Sequence, residues 1–347
     1  GRNTLPGTGH RIALVARYRN RRNDADRNEI YVADVATGKL TRLTNNQAPE
    51  DDVVWSPDGA SILYAAADDK AWKNRNQKLW LIHPESGEHR LLSGAFEGSV
   101  EDAMWSRDAR RIYFNGQHRT NKNLYVLEVA SAEVRKLTDV QGTMAVTSFS
   151  DDGVRYAYTY DDYRTPADVW VGTLDRSEAV QITHANPQIE EFALATMEVL
   201  RWDSNDGLEI EGLLHTPADR AEGSRLPLVL NIHGGPAGVF KNSWDADYHV
   251  YAGLGYASLS PNVRGSRSYT DALREGNTVE KGDGIGLGDY RDLMTGVDHL
   301  IADGVADPER LALRGWSYGG ILGGWTITQT DRFKAASIGA GVYDWAS

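Results

Sequence analysis

The chain has no cysteine among its 347 residues. Disulfide bridges, thiolate metal sites and a cysteine nucleophile are therefore excluded. The sequence also lacks any apolar run near the ~18–20 residues that a membrane-crossing helix needs, so no membrane anchor is predicted within it. A chain without cysteine suits the cytoplasm and the periplasm equally, and the localisation stays open between them.

Positive charge is scarce as well, with 37 Lys and Arg against 49 Asp and Glu and a net charge of -12. Nucleic-acid binding needs a concentrated basic face, so we expect no nucleic-acid partner. The nine histidines and the acidic residues show no metal-ligand spacing such as His-Glu-x-x-His. The alternating glycines at 282–288 follow no predicted strand, which disfavours a dinucleotide fingerprint. We therefore expect neither a metal nor a cofactor.

The first half of the sequence repeats. Segments 55–59, 105–109 and 149–153 share an aromatic residue, Ser, a variable residue, Asp, and Gly or Ala, at intervals of 50 and 44 residues. Each segment precedes a strand of alternating apolar residues. Such a segment favours a tight turn between two strands, because Ser and Asp form hydrogen bonds with the local backbone and Gly supplies the positive φ. A second strand-turn-strand pattern runs in phase with the first and occupies segments 31–44, 79–93, 124–138 and 169–183.

Four short strands in about 40–50 residues make one blade of a β-propeller. The fixed phase of four copies disfavours the alternative, a sandwich of unrelated hairpins. Residues 1–190 are thus predicted to form a partial β-propeller of about three and a half blades. A closed propeller needs ~4–8 blades, and the sequence starts at Gly1 rather than Met, so we expect the chain to begin inside this domain.

The second half, residues 191–347, alternates strands with helices. A helix is predicted over 289–303, because Leu293, Val297, Leu300 and Ile301 recur on one face. Asp307-Pro308 is expected to break the chain before the next strand. Such alternation is typical of a largely parallel sheet with covered faces. Strands are predicted at 193–202, 208–215, 226–232, 256–259, 310–314 and 333–339.

Two glycine-rich motifs in this half carry chemistry. Residues 315–320 read Gly-Trp-Ser-Tyr-Gly-Gly between a predicted strand and a predicted helix, which is the context of a nucleophile elbow and makes Ser317 the candidate nucleophile. Residues 233–236 read His-Gly-Gly-Pro directly after a predicted strand. This segment is either a simple strand-ending turn or a loop whose backbone N–H binds an oxyanion.

These motifs, the repeats and the sequence Asn-Val-Arg-Gly-Ser at 262–266 make the whole chain resemble the prolyl oligopeptidase family of serine peptidases. It looks closest to the acylaminoacyl-peptidase and dipeptidyl-peptidase-like branch. The resemblance implies an α/β-hydrolase domain over 191–347, peptide substrates and an acyl-enzyme on Ser317. It also implies an oxyanion hole made by the backbone N–H groups of Tyr318 and Gly235. The propeller of such peptidases acts as a lid that admits peptides and excludes folded proteins.

One departure limits the resemblance. The triad of an α/β-hydrolase runs Ser, then Asp or Glu, then His, yet no His follows Ser317. His299 precedes the elbow, and the resemblance implies that His233 belongs to the oxyanion loop and is not the base. The triad Asp and His are therefore expected beyond Ser347, and the 347-residue chain alone is expected to be inactive, since serine without a base is a weak nucleophile.

Three further residues are weaker candidates for substrate binding. Arg264 follows a buried strand and is predicted either to orient the oxyanion loop, to hold substrate, or to form an interdomain salt bridge. Tyr343 and Trp345 follow the last strand and either line the substrate pocket or pack as ordinary loop residues.

Two rival functions stay open. An esterase or acyl hydrolase on the same domain would turn over p-nitrophenyl esters in preference to short peptides. A non-catalytic propeller used for binding would lack the triad His in its natural downstream sequence. Assembly into a homo-oligomer also stays open.

Overall fold

The computed structural model describes residues 9–17, 19, 28–45, 48–68, 74–344 and 346. Its first half is built from antiparallel sheets of three or four strands that follow one another along the chain. The first sheet consists of the strands β1 (Arg11–Arg17), β2 (Asn28–Asp34) and β3 (Leu40–Arg42). The next four are β4 (Asp51–Trp55), β5 (Ile62–Ala66), β6 (Lys78–Ile82) and β7 (His89–Leu91). They are followed by β8 (Ser99–Trp105), β9 (Arg111–His118), β10 (Asn121–Glu128), β11 (Glu133–Lys136), β12 (Thr143–Phe149), β13 (Arg155–Asp161), β14 (Asp168–Thr173) and β15 (Arg176–Gln181).

A single parallel pairing, Lys122 with Thr143, joins the β8–β11 sheet to the β12–β15 sheet. Within each unit the strands pair antiparallel with their neighbours. The four-stranded repeat length predicted from the sequence is therefore present in three successive units.

The predicted Ser-x-Asp turns join the first two strands of these units. In the turn after β4, Ser56 Oγ donates to Asp58 Oδ1 at 2.5 Å, and that oxygen accepts the N–H of Ala60 at 3.0 Å. Gly59 takes a φ of 70°, which costs glycine little. The turns at 106–111 and 150–155 repeat the same hydrogen bonds.

A second repeated contact closes each unit. The hydroxyl of a Thr or Ser after the last strand accepts the backbone N–H of a residue 14 positions earlier. This hydroxyl clamp joins four pairs: Ile30 with Thr44, Leu79 with Ser93, Leu124 with Thr138, and Val169 with Thr183. It explains physically why the second sequence pattern ends in Leu-Thr or a similar pair.

Both faces of the inner strands are buried, because each sheet packs against the next. On β5, Ile62 and Tyr64 enter the core shared with the first sheet, whereas Leu63 enters the core shared with the third. A strand alternates its side chains between two faces, so one strand serves two cores. The third and fourth sheets share a further core around Leu124 and Met144.

The second half contains one six-stranded sheet. Its strands are β16 (Thr196–Asp203), β17 (Glu209–Thr216), β18 (Leu226–Ile232), β19 (Ala257–Asn262), β20 (Ala306–Trp316) and β21 (Phe333–Gly339). They lie in the order β16-β17-β19-β18-β20-β21, where the pairs β16–β17 and β17–β19 are antiparallel and the remaining pairs are parallel. The helices are α1 (Ala246–Gly253), α2 (Asp271–Glu275), α3 (Gly288–Ala302) and α4 (Tyr318–Gln329), and a short 3₁₀ helix, Pro187–Glu191, precedes the sheet.

Helix α3 buries the predicted apolar face against this sheet. Leu293, Val297 and Leu300 are buried, and Ile301 packs at the edge of the same core. The helix position predicted from periodicity is therefore confirmed to within one residue at each end.

One local expectation was wrong. Asp307-Pro308 does not precede the strand but lies inside β20. The pairing with β18 jumps there from Leu226–Ala306 to Leu228–Leu311. Proline has no N–H for a ladder, so it interrupts the hydrogen bonding while the backbone stays extended.

Candidate active site

Ser317 lies at a sharp turn between β20 and α4. Its side chain is exposed, and its backbone has φ 60° and ψ -120°, a conformation that costs energy for any residue with a Cβ. Two hydrogen bonds hold it: its N–H donates to Gly339 O, and its carbonyl accepts the N–H of Ile321, both at 3.0 Å.

The glycines around Ser317 are required by close backbone contacts. A Cβ at position 315 would lie 2.2 Å from Gly319 O, and one at position 319 would lie 2.1 Å from Ile232 O. Since the neighbours are backbone atoms, they cannot rotate away. The turn can therefore close only with glycine at these two positions.

The His-Gly-Gly-Pro segment lies beside this turn. A Cβ built on Gly234 would be 3.2 Å from Trp316 O and 3.6 Å from Ser317 Cβ. The next residue, Gly235, has a φ of 132°, which favours glycine. The structure thus brings together Ser317, Tyr318 at the start of α4, and the glycines of the predicted oxyanion loop.

The Tyr318 side chain is anchored under the elbow. Its hydroxyl donates to Asp289 Oδ2 at 2.5 Å and accepts from Asn277 Nδ2 at 3.3 Å. Asp289 also accepts the N–H groups of Gly286 and Tyr290. Burial raises the pKa of Asp289, and burial together with the adjacent Asp289 raises the pKa of Tyr318 well above its ordinary value. Sequence reasoning missed this anchor, although an Asp at the start of a predicted helix was a visible signal.

His233 contacts the loop and not the candidate nucleophile. Its Nδ1 lies 2.9 Å from Gly234 O and its Nε2 lies 2.9 Å from Ser266 Oγ. Burial lowers the pKa of His233 to about 4, so the ring is neutral at pH 7. Its neutral ring serves to hold the loop against Ser266.

Arg264 is buried in a cluster of hydrogen bonds and ion pairs. Its guanidinium donates to Asp292 at 2.8 and 2.9 Å, to Asp206 at 2.8 and 3.1 Å, and to Ser204 at 3.4 Å. Burial lowers the pKa of Arg264, but the hydrogen bonds and charges of Asp292 and Asp206 together outweigh burial and raise it above its ordinary value. Both acidic partners lie in the 191–347 segment, so these ion pairs are not interdomain. The predicted substrate role of Arg264 has no support from these contacts.

Tyr343 lies next to the elbow helix, where its hydroxyl donates to Gly320 O at 3.1 Å. Its side chain is largely exposed. Trp345 lies outside the described residues. Of the two aromatic candidates, Tyr343 therefore lies beside the elbow.

Within the described part of the chain, no group of three His, Cys, Asp or Glu side chains is arranged to hold a metal ion. Nor does any described helix combine the length and apolarity needed to cross a membrane.

Comparisons with known proteins agree with this architecture. Residues 242–347 match the model of the prolyl oligopeptidase family. An uncharacterized peptidase of Bacillus subtilis, YuxL, is 28% identical over 92% of this chain and 58% of its own length. Dipeptidyl-peptidase 5 of Porphyromonas gingivalis is 24% identical over 91% of this chain and 46% of its own.

Solved structures show the same fold. An acylaminoacyl peptidase in complex with Z-Gly-Gly-Phe-chloromethyl ketone has a TM-score of 0.80 and 25% identity over 97% of this chain and 51% of its own. The acylaminoacyl peptidase of Pyrococcus horikoshii has a TM-score of 0.81 and 24% identity, and covers 97% of this chain and 52% of its own. The chain spans about half the length of the relatives it matches. The resemblance to the prolyl oligopeptidase family is therefore confirmed, with the family match carried by residues 242–347 of the α/β half.

Proposed function

We propose that the protein is a serine peptidase that cleaves oligopeptides through an acyl-enzyme on Ser317. The observation that carries the proposal is the exposed residue Ser317 at a strained strand-helix turn. In the first step Ser317 Oγ attacks the peptide carbonyl carbon and gives its proton to a general base. The amine product then leaves with that proton, and water hydrolyses the ester.

The proposed oxyanion hole consists of the backbone N–H groups of Tyr318 and Gly235. The first N–H belongs to the opening turn of α4, where unpaired N–H groups and the helix dipole favour negative charge. The second lies in the loop that passes beside Ser317. Two preorganised donors at this position would stabilise the tetrahedral intermediate more strongly than the ground-state carbonyl.

The general base is proposed to come from outside these 347 residues. His233 is bonded within its loop, and His299 lies 3.4 Å from Asp303 on α3. No described histidine has a hydrogen bond to Ser317. A triad Asp and His from elsewhere in the full-length protein would complete the site, and the 347-residue chain alone would be inactive.

The substrate class follows from the proposed domain arrangement. We propose that the antiparallel sheets of residues 1–190 are blades of a β-propeller and that residues 191–347 form the α/β-hydrolase domain. A propeller over the site would admit short peptides, and relatives bear the names dipeptidyl-peptidase and acylamino-acid-releasing enzyme. Tyr343, beside the elbow, is proposed to line the substrate pocket, whereas Arg264 is proposed to be structural.

The test is fluorophosphonate labelling of the full-length protein, read by intact mass and peptide mapping. We expect one adduct on Ser317 and none on the Ser317→Ala variant, because only an activated serine reacts. Absence of an adduct on the folded full-length protein would refute the proposal. Faster turnover of p-nitrophenyl esters than of any short peptide would favour the esterase instead. Turnover by the 347-residue chain that Ser317→Ala abolishes would place the base within it.

A further inference from the structure

The 263–270 loop, which follows β19, contacts the oxyanion loop on one side and the antiparallel sheets on the other. We infer that Asn76 of the sheet half is a positioning residue for the oxyanion hole, acting through this loop. The catalytic consequence of the inference rests on the proposed function, whereas the structural coupling does not.

The first step is the contact between the 263–270 loop and the oxyanion loop. Ser266 Oγ lies 2.9 Å from His233 Nε2, and the N–H of Arg267 donates to Gly238 O at 3.2 Å. Ser266 and His233 therefore fix the loop before Gly234, while Arg267 and Gly238 fix it after Gly235. The backbone of Gly235 lies between these two attachments.

The second step is the contact between the same loop and the sheet half. Ser268 is fully buried, and its N–H donates to Asn76 Oδ1 at 3.1 Å. Its hydroxyl donates to Ser99 Oγ at 3.0 Å, and its carbonyl accepts the N–H of Arg119 at 2.7 Å. Ser268 thus forms hydrogen bonds with three residues of the first half, all at least 149 positions earlier in the sequence.

Asn76 is the central member of this contact. It is 3% exposed, and its Nδ2 donates to Tyr269 O at 2.9 Å and to Asp271 Oδ1 at 3.1 Å. Its Oδ1 accepts from Ser268 N–H and from Ser99 Oγ. A buried amide with all these partners fixes the backbone at positions 268–271.

The backbone of Ser268 shows why this anchor is needed. Its φ is 70°, a left-handed conformation that serine leaves readily unless its surroundings hold it. Without Asn76, Ser268 would relax toward an ordinary conformation. Arg267 and Ser266, the two residues before it, would then shift together with the oxyanion loop.

Hydrogen exchange of the full-length protein, read by mass spectrometry, tests the coupling directly. In Asn76→Ala we expect peptides covering 233–240 to exchange about tenfold faster, because local opening becomes easier. Ser99→Ala, which removes only one hydroxyl, should accelerate the same peptides to a smaller extent. This milder variant keeps the test decisive where Asn76→Ala does not fold.

Asn115→Ala is the matched control. Asn115 is also a buried amide, but its partners, Val146 N–H, Val146 O and Asp102 Oδ2, all lie within the sheet half. Its removal should leave exchange at 233–240 unchanged. An exchange rate at 233–240 equal to that of the wild type in Asn76→Ala, or in Ser99→Ala where Asn76→Ala does not fold, would overturn the coupling.

The kinetic test uses the full-length protein and a fluorophosphonate. Asn76→Ala should lower the maximal rate of Ser317 phosphonylation about tenfold, less than the ~10²–10³ lost with a whole oxyanion donor. The inhibitor concentration at half-maximal rate should stay unchanged in Asn76→Ala. In Asn115→Ala both the maximal rate and this inhibitor concentration should stay unchanged. An unchanged maximal rate in Asn76→Ala would overturn the positioning role. If exchange is faster in Asn76→Ala but the fluorophosphonate does not label the wild-type protein, the coupling is supported and only the proposed function is refuted.

Discussion

Eight of the described residues other than glycine have a positive φ, and three of them, Ser317, Ser268 and Ala109, differ in what holds them there. Ser317 has a φ of 60° at the elbow, and Ser268 has a φ of 70° where the two halves meet. Both are held by hydrogen bonds from distant segments. Ala109 has a φ of 58° in an exposed repeat turn, where no such function explains the strain. Backbone strain at Ser317 and Ser268 is expected of functional sites. At Ala109 a substitution that relieves the strain should increase the stability of the protein.

Replacement of Ala109 by Gly should therefore stabilise the protein. Gly59 and Gly153 take the same conformation in the equivalent turns, and left-handed backbone costs an L-residue about 1–2 kcal/mol. Part of this gain is offset by the entropy that glycine adds to the unfolded chain. We expect a net gain of about 0.5–1 kcal/mol in the urea-unfolding free energy.

The reverse substitution, Gly153→Ala, supplies the matched comparison. A Cβ at Gly153 would meet no atom within 4 Å, so only the backbone strain would be added. Its unfolding free energy should fall by about 1 kcal/mol. If Ala109→Gly destabilises the chain while Gly153→Ala is neutral, the turn conformations described above are wrong.

At the scale of elements, α3 holds both Tyr318 of the elbow and the buried structural cluster around Arg264. Asp289 in its first turn holds Tyr318, and Asp292 one turn later accepts the N–H and the guanidinium of Arg264. The apolar face of α3 was predictable, because Leu293 and Val297 recur at helical spacing. The polar partners were not, since Tyr318 lies 29 and Arg264 lies 28 positions away and no local pattern encodes such a pairing.

Asp292→Ala should be strongly destabilising. Asp292 is fully buried and is bonded to Ser204 as well as Arg264. Its removal leaves a buried guanidinium with Asp206 as its remaining acidic partner, and breaking such a pair costs about 3–5 kcal/mol. Thermal or urea unfolding measures the loss.

Asp298→Ala is the control on the same helix. Asp298 accepts from Arg332 at 2.6 Å, but it is mostly exposed. Loss of an exposed pair costs about 0–1 kcal/mol. Equal losses in the two variants would contradict the assignment of Arg264 to a buried structural cluster.

At the scale of the whole molecule, the repeated units and the elbow could be predicted, whereas the contact between the halves could not. Each Ser-x-Asp turn is encoded by residues within six positions, and the glycines at 315 and 319 are encoded beside Ser317. Asn76, in contrast, contacts Ser268 and Asp271 across more than 190 positions. Local chemistry in the sequence predicts turns and strands, but the partners of a buried amide depend on the final packing.

The stability of the whole chain should fall on mild acidification. Burial lowers the pKa of His215 to about 3 and of His233 to about 4, against an ordinary value of 6.5. Below pH 6.5 the unfolded chain therefore binds protons that the native chain does not bind. Stability from these groups is complete above pH 6.5 and is lost progressively as the pH falls toward 3.

His215→Phe should reduce this loss. His215 is buried and stacks on Tyr248 with ring centroids 4.1 Å apart, a contact that phenylalanine can keep. Between pH 7.5 and pH 5.0 the variant should lose about 2 kcal/mol less than the wild type. Urea midpoints at the two pH values measure the difference, and identical losses would show that His215 is protonated in the native state.

The hydroxyl clamps have a consequence for the order of folding. Each clamp joins residues only 14 positions apart, so the hairpin that it closes needs only a short loop and can form early. At translation rates of about 5–20 residues per second, Asn76 leaves the ribosome roughly 10 s or more before Ser268. The units that carry Asn76, Ser99 and Arg119 can thus be folded when the 263–270 loop emerges. The folded first half would then supply the hydrogen-bond partners that hold Ser268 in its left-handed conformation as the loop forms during synthesis.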